Sequence, residues 1–191
     1  MRCHENSLRF FATVGIALFL PVPAPAQAPA TPALSDELHR QAFDYLLGDW
    51  EFTGERLETN GRVKFRGYWT ATRTPDNHVL VDEYRVVDDA GKTIYVTTTL
   101  RAFDPRDHKW RIASIERSGN LAEGRAWKDG TDMRIEQSYG GPVLRFRYYN
   151  IQADRFSWVG SGPDEKGQYQ EFQWIEARRV GQHKAGALRV R

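Results

Sequence analysis

The stretch Phe43-Asp44-Tyr45-Leu46-Leu47-Gly48-Asp49-Trp50-Glu51-Phe52 decides how the rest of this chain is read. Before it, Ser35 precedes Asp36-Glu37 as an N-cap followed by an acidic first turn, and Leu38, Ala42, Tyr45 and Leu46 fall on one helical face. A short helix is expected to end at Gly48, its apolar face free to cover the mouth of whatever follows. From Trp50 onward the period changes. Trp50-Phe52-Gly54, Val63-Phe65-Gly67-Trp69-Ala71, Ile94-Val96-Thr98-Leu100 and Trp110-Ile112-Ser114, each taken as alternate residues, interleave with mostly polar neighbours. That is the mark of half-buried strands.

Turn chemistry separates these runs at hairpin spacing: Asn60-Gly61, Pro75-Asp76-Asn77, Asp88-Asp89-Ala90-Gly91, Gly119-Asn120, Asp129-Gly130, Gly140-Gly141-Pro142 and Glu165-Lys166-Gly167. The pattern predicts about ten antiparallel strands with no second helical segment among them, which excludes a doubly wound fold. A series of that length exposes its edges unless it closes, so the expected architecture is all-β, a single up-and-down barrel with a short N-terminal helix. A two-sheet sandwich is the alternative.

The ends read differently. Arg2 and Arg9 precede the apolar run Phe10–Leu20, and Ala26-Gln27-Ala28 supplies a small-x-small cleavage pattern, so residues 1–28 are expected to be a secretory signal peptide. The run is short for a membrane span, which needs about 20 apolar residues. Residues 29–34 read as a Pro/Ala linker, 35–180 as the barrel domain, and 181–191, with Lys184, Arg189 and Arg191, as a basic disordered tail. The single cysteine, Cys3, would leave with the signal, so the exported chain would have neither disulfide nor thiolate ligand. A periplasmic or secreted location follows. The formal charge of +2 on 191 residues gives no reason to expect nucleic acid as a partner.

Phe43 to Phe52, the later aromatic hairpins and the terminal Phe172-Gln173-Trp174-Ile175-Glu176-Ala177-Arg178 together resemble the calycin, or lipocalin-like, superfamily. More narrowly they resemble the uncharacterised bacterial DUF1579-type proteins. The likeness covers most of the expected domain and implies a cup-shaped barrel of bacterial origin, with no settled activity. In lipocalin-like proteins the tryptophan of the glycine-x-tryptophan motif packs against a basic side chain of the last strand; Arg178 matches that role, with Trp50 as its partner.

If Arg178 faces inward, so do Phe172, Trp174 and Glu176. From the other strands Trp69, Thr98, Ser114, Glu116, Met133, Ile135, Gln137, Tyr139, Phe156 and Trp158 would join them. Of these, Trp69, Glu116, Tyr139, Trp158 and Trp174 are the expected ligand-binding residues: an aromatic wall for a small apolar or amphipathic molecule, with Glu116 to orient it. Glu116 would be costly to bury unpaired, so it is expected to meet a cation, take up a proton or sit at the wet end of its strand. The tryptophans could equally fill the core, leaving no room for a ligand.

For the strand Val79 to Val87 both faces are apolar, and either could point inward. On the strand Leu144 to Tyr149 the apolar parity Leu144, Phe146, Tyr148 favours sending Arg145 and Arg147 to solvent, against a carboxylate clamp of Arg145, Arg147 and Tyr149. No metal or cofactor motif is present. His78 and His108 stand apart from any ligand set, Ser161 lacks a nucleophile-elbow spacing, and haem barrels of the nitrobindin type carry a late axial histidine, where this chain offers only His183. The leading expectation is therefore an exported barrel that binds a small hydrophobic or amphipathic ligand. Two others stand beside it: an isomerase or hydrolase using Glu116 and a tyrosine as acid and base, and an envelope interaction protein with a filled core and an outer binding face around Lys64, Arg66 and Tyr68.

Overall fold

The structure, a computed structural model, describes residues 34–181. The expected signal peptide, most of the expected linker and all of the expected tail except Gly181 lie outside the described residues. A helix, α1 (Leu34–Arg40), and one 3₁₀ turn (Asp44–Leu46) lead into ten strands. These are β1 (Gly48–Glu58), β2 (Gly61–Arg73), β3 (Val79–Val87), β4 (Thr93–Asp104), β5 (Lys109–Glu116), β6 (Leu121–Asp129), β7 (Asp132–Ser138), β8 (Leu144–Tyr149), β9 (Arg155–Pro163) and β10 (Tyr169–Gly181).

Each strand pairs antiparallel with the next, and β10 pairs with β1 to close the barrel. Closure removes both sheet edges, which is why this all-antiparallel chain needs no covering layer. The glycine of the opening motif is there for its backbone. Gly48 adopts φ 112°, a conformation that side-chain-bearing residues rarely take, and turns the chain from the 3₁₀ segment into β1. Gly67 is required for a different reason. A Cβ there would lie 1.9 Å from the Arg85 carbonyl oxygen, so the close approach of β2 to β3 allows no side chain.

Because the strands alternate in direction, the start of β1, the end of β2 and the start of β3 share one end of the barrel. The N-terminal segment closes that end, but not as one continuous helix. After Arg40 the chain turns and resumes as the 3₁₀ segment, in which residues three apart share a face. Phe43 and Leu46, both fully buried, therefore form the plug, while Leu38, expected on the buried face, is 59% exposed. Trp110 Nε1 donates to the His39 carbonyl at 3.1 Å and Trp50 Nε1 to the Leu46 carbonyl at 2.8 Å, tying plug to wall. Arg73 adds an ion pair with Asp44 and donates to the Arg40 carbonyl at 3.2 Å.

Candidate functional site

The half of the barrel away from the plug contains a cavity of about 330 Å³, at the lower end of the range for small-molecule sites. Its rim carries Arg56, Tyr95, Glu116, Tyr139, Phe172 and Gln173; below lies an aromatic belt of Phe65, Tyr84, Phe146 and Trp158; the floor is Trp69, Asp82, Arg101, Tyr148, Thr99, Ser114 and Gln137. Glycine shapes the belt. A Cβ at Gly160 would crowd Trp158 at 3.0 Å and Phe146 and Phe172 at 3.2 Å, so the bare backbone lets three rings converge, Phe146 stacking on Trp158 at 5.2 Å.

The floor is built around an ion pair. Asp82 and Arg101, 1% and 3% exposed, are joined by Nε to Oδ2 at 2.7 Å and Nη2 to Oδ1 at 3.1 Å. Trp69 Nε1 donates to Asp82 Oδ1 at 2.7 Å, Arg101 Nη2 also reaches the Tyr148 hydroxyl at 3.4 Å, and the guanidinium lies 4.8 Å from the centroid of the plug ring Phe43. Burial alone would lower the Arg101 pKa, but the Asp82 carboxylate and the nearby phenols outweigh it and hold the guanidinium charged. Two enclosed groups find no partner among the described residues, Arg101 Nη1 and the Tyr45 hydroxyl. Burial raises the pKa of Tyr45, Tyr84 and Tyr148 above the ordinary tyrosine value.

Neither Asp82 nor Arg101 is among the site residues that the sequence leads one to expect. On β3 it is Leu80, Asp82, Tyr84 and Val86 that point inward, which decides between the two faces left open by the sequence. On β4 the inward residues are Tyr95, Thr97, Thr99 and Arg101, so Thr98 is a correction: it is on the same outer face as Ile94 and Leu100. The more apolar parity of β4 is its outer one, which reverses the reading by hydrophobic alternation.

Four of the five expected ligand-binding residues, Trp69, Glu116, Tyr139 and Trp158, stand on the cavity wall. Trp174 does not. Its ring is on the outer surface beneath the Arg62 guanidinium, 4.1 Å from the centroid, and its Nε1 donates to Glu171 at 2.8 Å. The cause is an irregularity in β10 between Glu171 and Gln173, which puts Phe172 and Gln173 both on the cavity wall and flips every later side chain. The same flip overturns Arg178 as the closing residue and Glu176 as an inward one: both are exposed. Arg179 takes the closing role. It sits opposite Trp50, 4.1 Å from the ring centroid, donates to the Tyr45 carbonyl at 2.7 Å and also bonds the Leu47 carbonyl.

Glu116 belongs to the rim, and its neighbours are neutral. Tyr95 donates to Oε1 at 2.9 Å, while Ser118 and Asn120 donate to Oε2 at 3.1 and 2.9 Å, so the carboxylate organises the β5–β6 hairpin. On β8 the inward residues are Leu144, Phe146 and Tyr148; Arg145 faces outward and pairs with Glu136. No histidine among the described residues lines the cavity. Among the described residues no group of three or more His, Cys, Asp or Glu is placed to hold a metal ion, and no helix is long and apolar enough to cross a membrane.

No family model matches the chain, and no curated protein does. Solved structures do. The crystal structure of Rv2717c from M. tuberculosis has a TM-score of 0.58 at 15% identity, covering 74% of this chain and 97% of the other. That of the S-type phycobiliprotein lyase CPES from Guillardia theta has a TM-score of 0.52 at 9% identity, covering 80% and 99%. At these identities the likeness establishes the ten-stranded barrel as a shared architecture.

Proposed function

We propose that this chain is an exported, calycin-like barrel, similar to the DUF1579-type proteins, that takes up a small amphipathic molecule in the cavity of its open half. The observation that carries the reading is the cavity itself: about 330 Å³ walled by Phe65, Tyr84, Phe146 and Trp158 above a hydrogen-bonding floor. Apolar surface brought against such a wall is favoured by about 25 cal/mol per Å² removed from water, and the polar floor fixes which way round the ligand sits. Trp69, Glu116, Tyr139 and Trp158 are the contacts; Trp50 and Arg179 are closure. Location in the periplasm or outside the cell rests on the apolar run and Ala26-Gln27-Ala28.

An enzymatic role for Glu116 has less support, since both its oxygens hold the hairpin and the Tyr95 hydroxyl. An interaction protein with a filled core has less still, given the open half of the barrel. The test is native mass spectrometry of the protein purified from its own host, with extraction of anything bound. A stoichiometric small-molecule adduct that is lost in Trp158→Ala supports the reading. Bare protein that binds no member of a lipid and aromatic panel overturns it.

A further inference from the structure

The floor of the cavity is charged and yet neutral, and that sets what can rest on it. Both charges belong to the Asp82–Arg101 pair, whose carboxylate already accepts three hydrogen bonds, two from Arg101 and one from Trp69. A ligand carboxylate lowered to this depth would meet Asp82 as a like charge in a site with little water. A ligand ammonium would meet Arg101 in the same way. Either would lose its hydration without gaining a free counter-charge.

Arg101 Nη1 is also without a partner among the described residues, but it is enclosed, so what the floor leaves unspent and open to the cavity is neutral. Gln137 is 6% exposed and lines the cavity, and its amide has no hydrogen-bond partner among the described residues. An amide offers two donors and an acceptor. Across the floor Thr99 Oγ1 and Ser114 Oγ bond each other at 2.9 Å, so that one of the two hydroxyl hydrogens remains free. Between Ser114 on β5 and Gln137 on β7 the pairing residues of β6 are Ala122 and Gly124, too small to screen one from the other. A Cβ at Gly124 would lie 2.9 Å from the Gln137 Cβ and 2.2 Å from the Glu136 carbonyl, so this strand is kept bare where Gln137 stands.

We infer that the cavity selects an amphipathic ligand whose buried end is an uncharged hydrogen-bonding group, a carboxamide, ketone or hydroxyl, received by Gln137 with the Thr99–Ser114 pair. The body of the ligand is planar and aromatic or unsaturated, lying among Phe65, Tyr84, Phe146 and Trp158, where ring faces rather than alkyl contacts dominate. Gln137 is the residue that determines specificity. This inference rests on the cavity being a binding site, and the experiment separates the two.

The test is isothermal titration calorimetry of the full chain with naphthamide, naphthoate and naphthylmethylammonium at neutral pH, which hold the aromatic body roughly constant and change only the head. Naphthamide is expected to bind about ten-fold tighter than either ion, the size of one lost buried hydrogen bond. Gln137→Leu should lower naphthamide affinity about ten-fold and abolish the discrimination, and Ser114→Ala should weaken naphthamide less, with circular dichroism confirming that both fold. Equal binding of the three, or tighter naphthoate, overturns the neutral-head inference while leaving the binding site in place. Undiminished discrimination in folded Gln137→Leu overturns the role of Gln137. Failure of all three probes, together with bare protein from the host, removes the binding site and this inference with it.

Discussion

At the plugged end of the barrel Phe43, Tyr45, Tyr148, Trp50 and Phe156 interlock mostly edge to face, with ring centroids 4.8 to 6.2 Å apart. At the other end Phe65, Tyr84, Phe146, Trp158 and Phe172, again aromatic residues of the barrel wall, surround a void. The difference comes from what enters from outside the sheet. The N-terminal segment brings Phe43 and Leu46 into one mouth, and nothing among the described residues enters the other. An aromatic-rich barrel interior is therefore neither core nor pocket by composition; the plug divides it, and the Asp82–Arg101 pair marks the boundary.

The largest expected effect lies on that boundary. Arg101→Met leaves Asp82 buried without its cation and should cost about 3–5 kcal/mol in urea unfolding, whereas the double variant Asp82→Leu with Arg101→Met, losing both charges together, should recover most of it. If the single variant costs no more than the double, the pair is not the divider. Next comes a matched pair of truncations. Phe43→Ala in the packed end should cost about 3–4 kcal/mol, and Phe65→Ala, whose ring already borders open space, about 1 kcal/mol. Equal costs would mean that the two ends are packed alike. A smaller effect tests closure: Arg179→Ala, which loses three carbonyl partners, those of Tyr45, Leu47 and Ala153, and the Trp50 face, should cost about 2 kcal/mol, against no measurable change for Arg178→Ala.

That last contrast shows where the sequence could be read and where it could not. The Gly48-Asp49-Trp50 entry, the turn dipeptides and the period-two runs carry the strand count and the closure, because each is a local signal. Trp69, Glu116, Tyr139 and Trp158 could be placed on the wall because β2, β5, β7 and β9 keep parity along the stretches that matter. Parity fails as a guide in β10, where the irregularity near Phe172 moves Trp174 outside and exchanges Arg178 for Arg179. It fails in β4 for another reason. The inner face carries Thr97, Thr99 and Arg101 because it builds a polar floor, while Ile94 and Leu100 are left 58% and 43% exposed, so hydrophobicity points the wrong way. A signal is present nonetheless. Once β3 is read with Leu80, Tyr84 and Val86 inward, Asp82 must be inside as well, and a buried carboxylate demands a cation; Arg101 is the charged residue on the parity of β4 that also contains Tyr95 and Phe103.

The smallest expected effect is the most specific to the packed end. Tyr45 is enclosed, and its hydroxyl has no partner among the described residues, so Tyr45→Phe removes an unsatisfied polar atom and keeps the ring against Tyr148 and Phe156. The variant should be as stable as the parent or more stable by up to about 1 kcal/mol near neutral pH. Its pH dependence follows from the sign of the shift. Burial raises the Tyr45 pKa, so the folded state holds the phenolic proton more tightly than the unfolded chain does. The corresponding stability is complete below the ordinary tyrosine pKa of about 10 and declines as the pH rises above it, because only the unfolded chain then ionises. Tyr148, raised by the same cause, contributes in the same direction. Urea midpoints measured from neutral pH to about 11 should fall less steeply for Tyr45→Phe than for the parent. An unchanged slope would mean that the plugged end admits hydroxide and water as readily as the open one, and the contrast between the two ends would not survive.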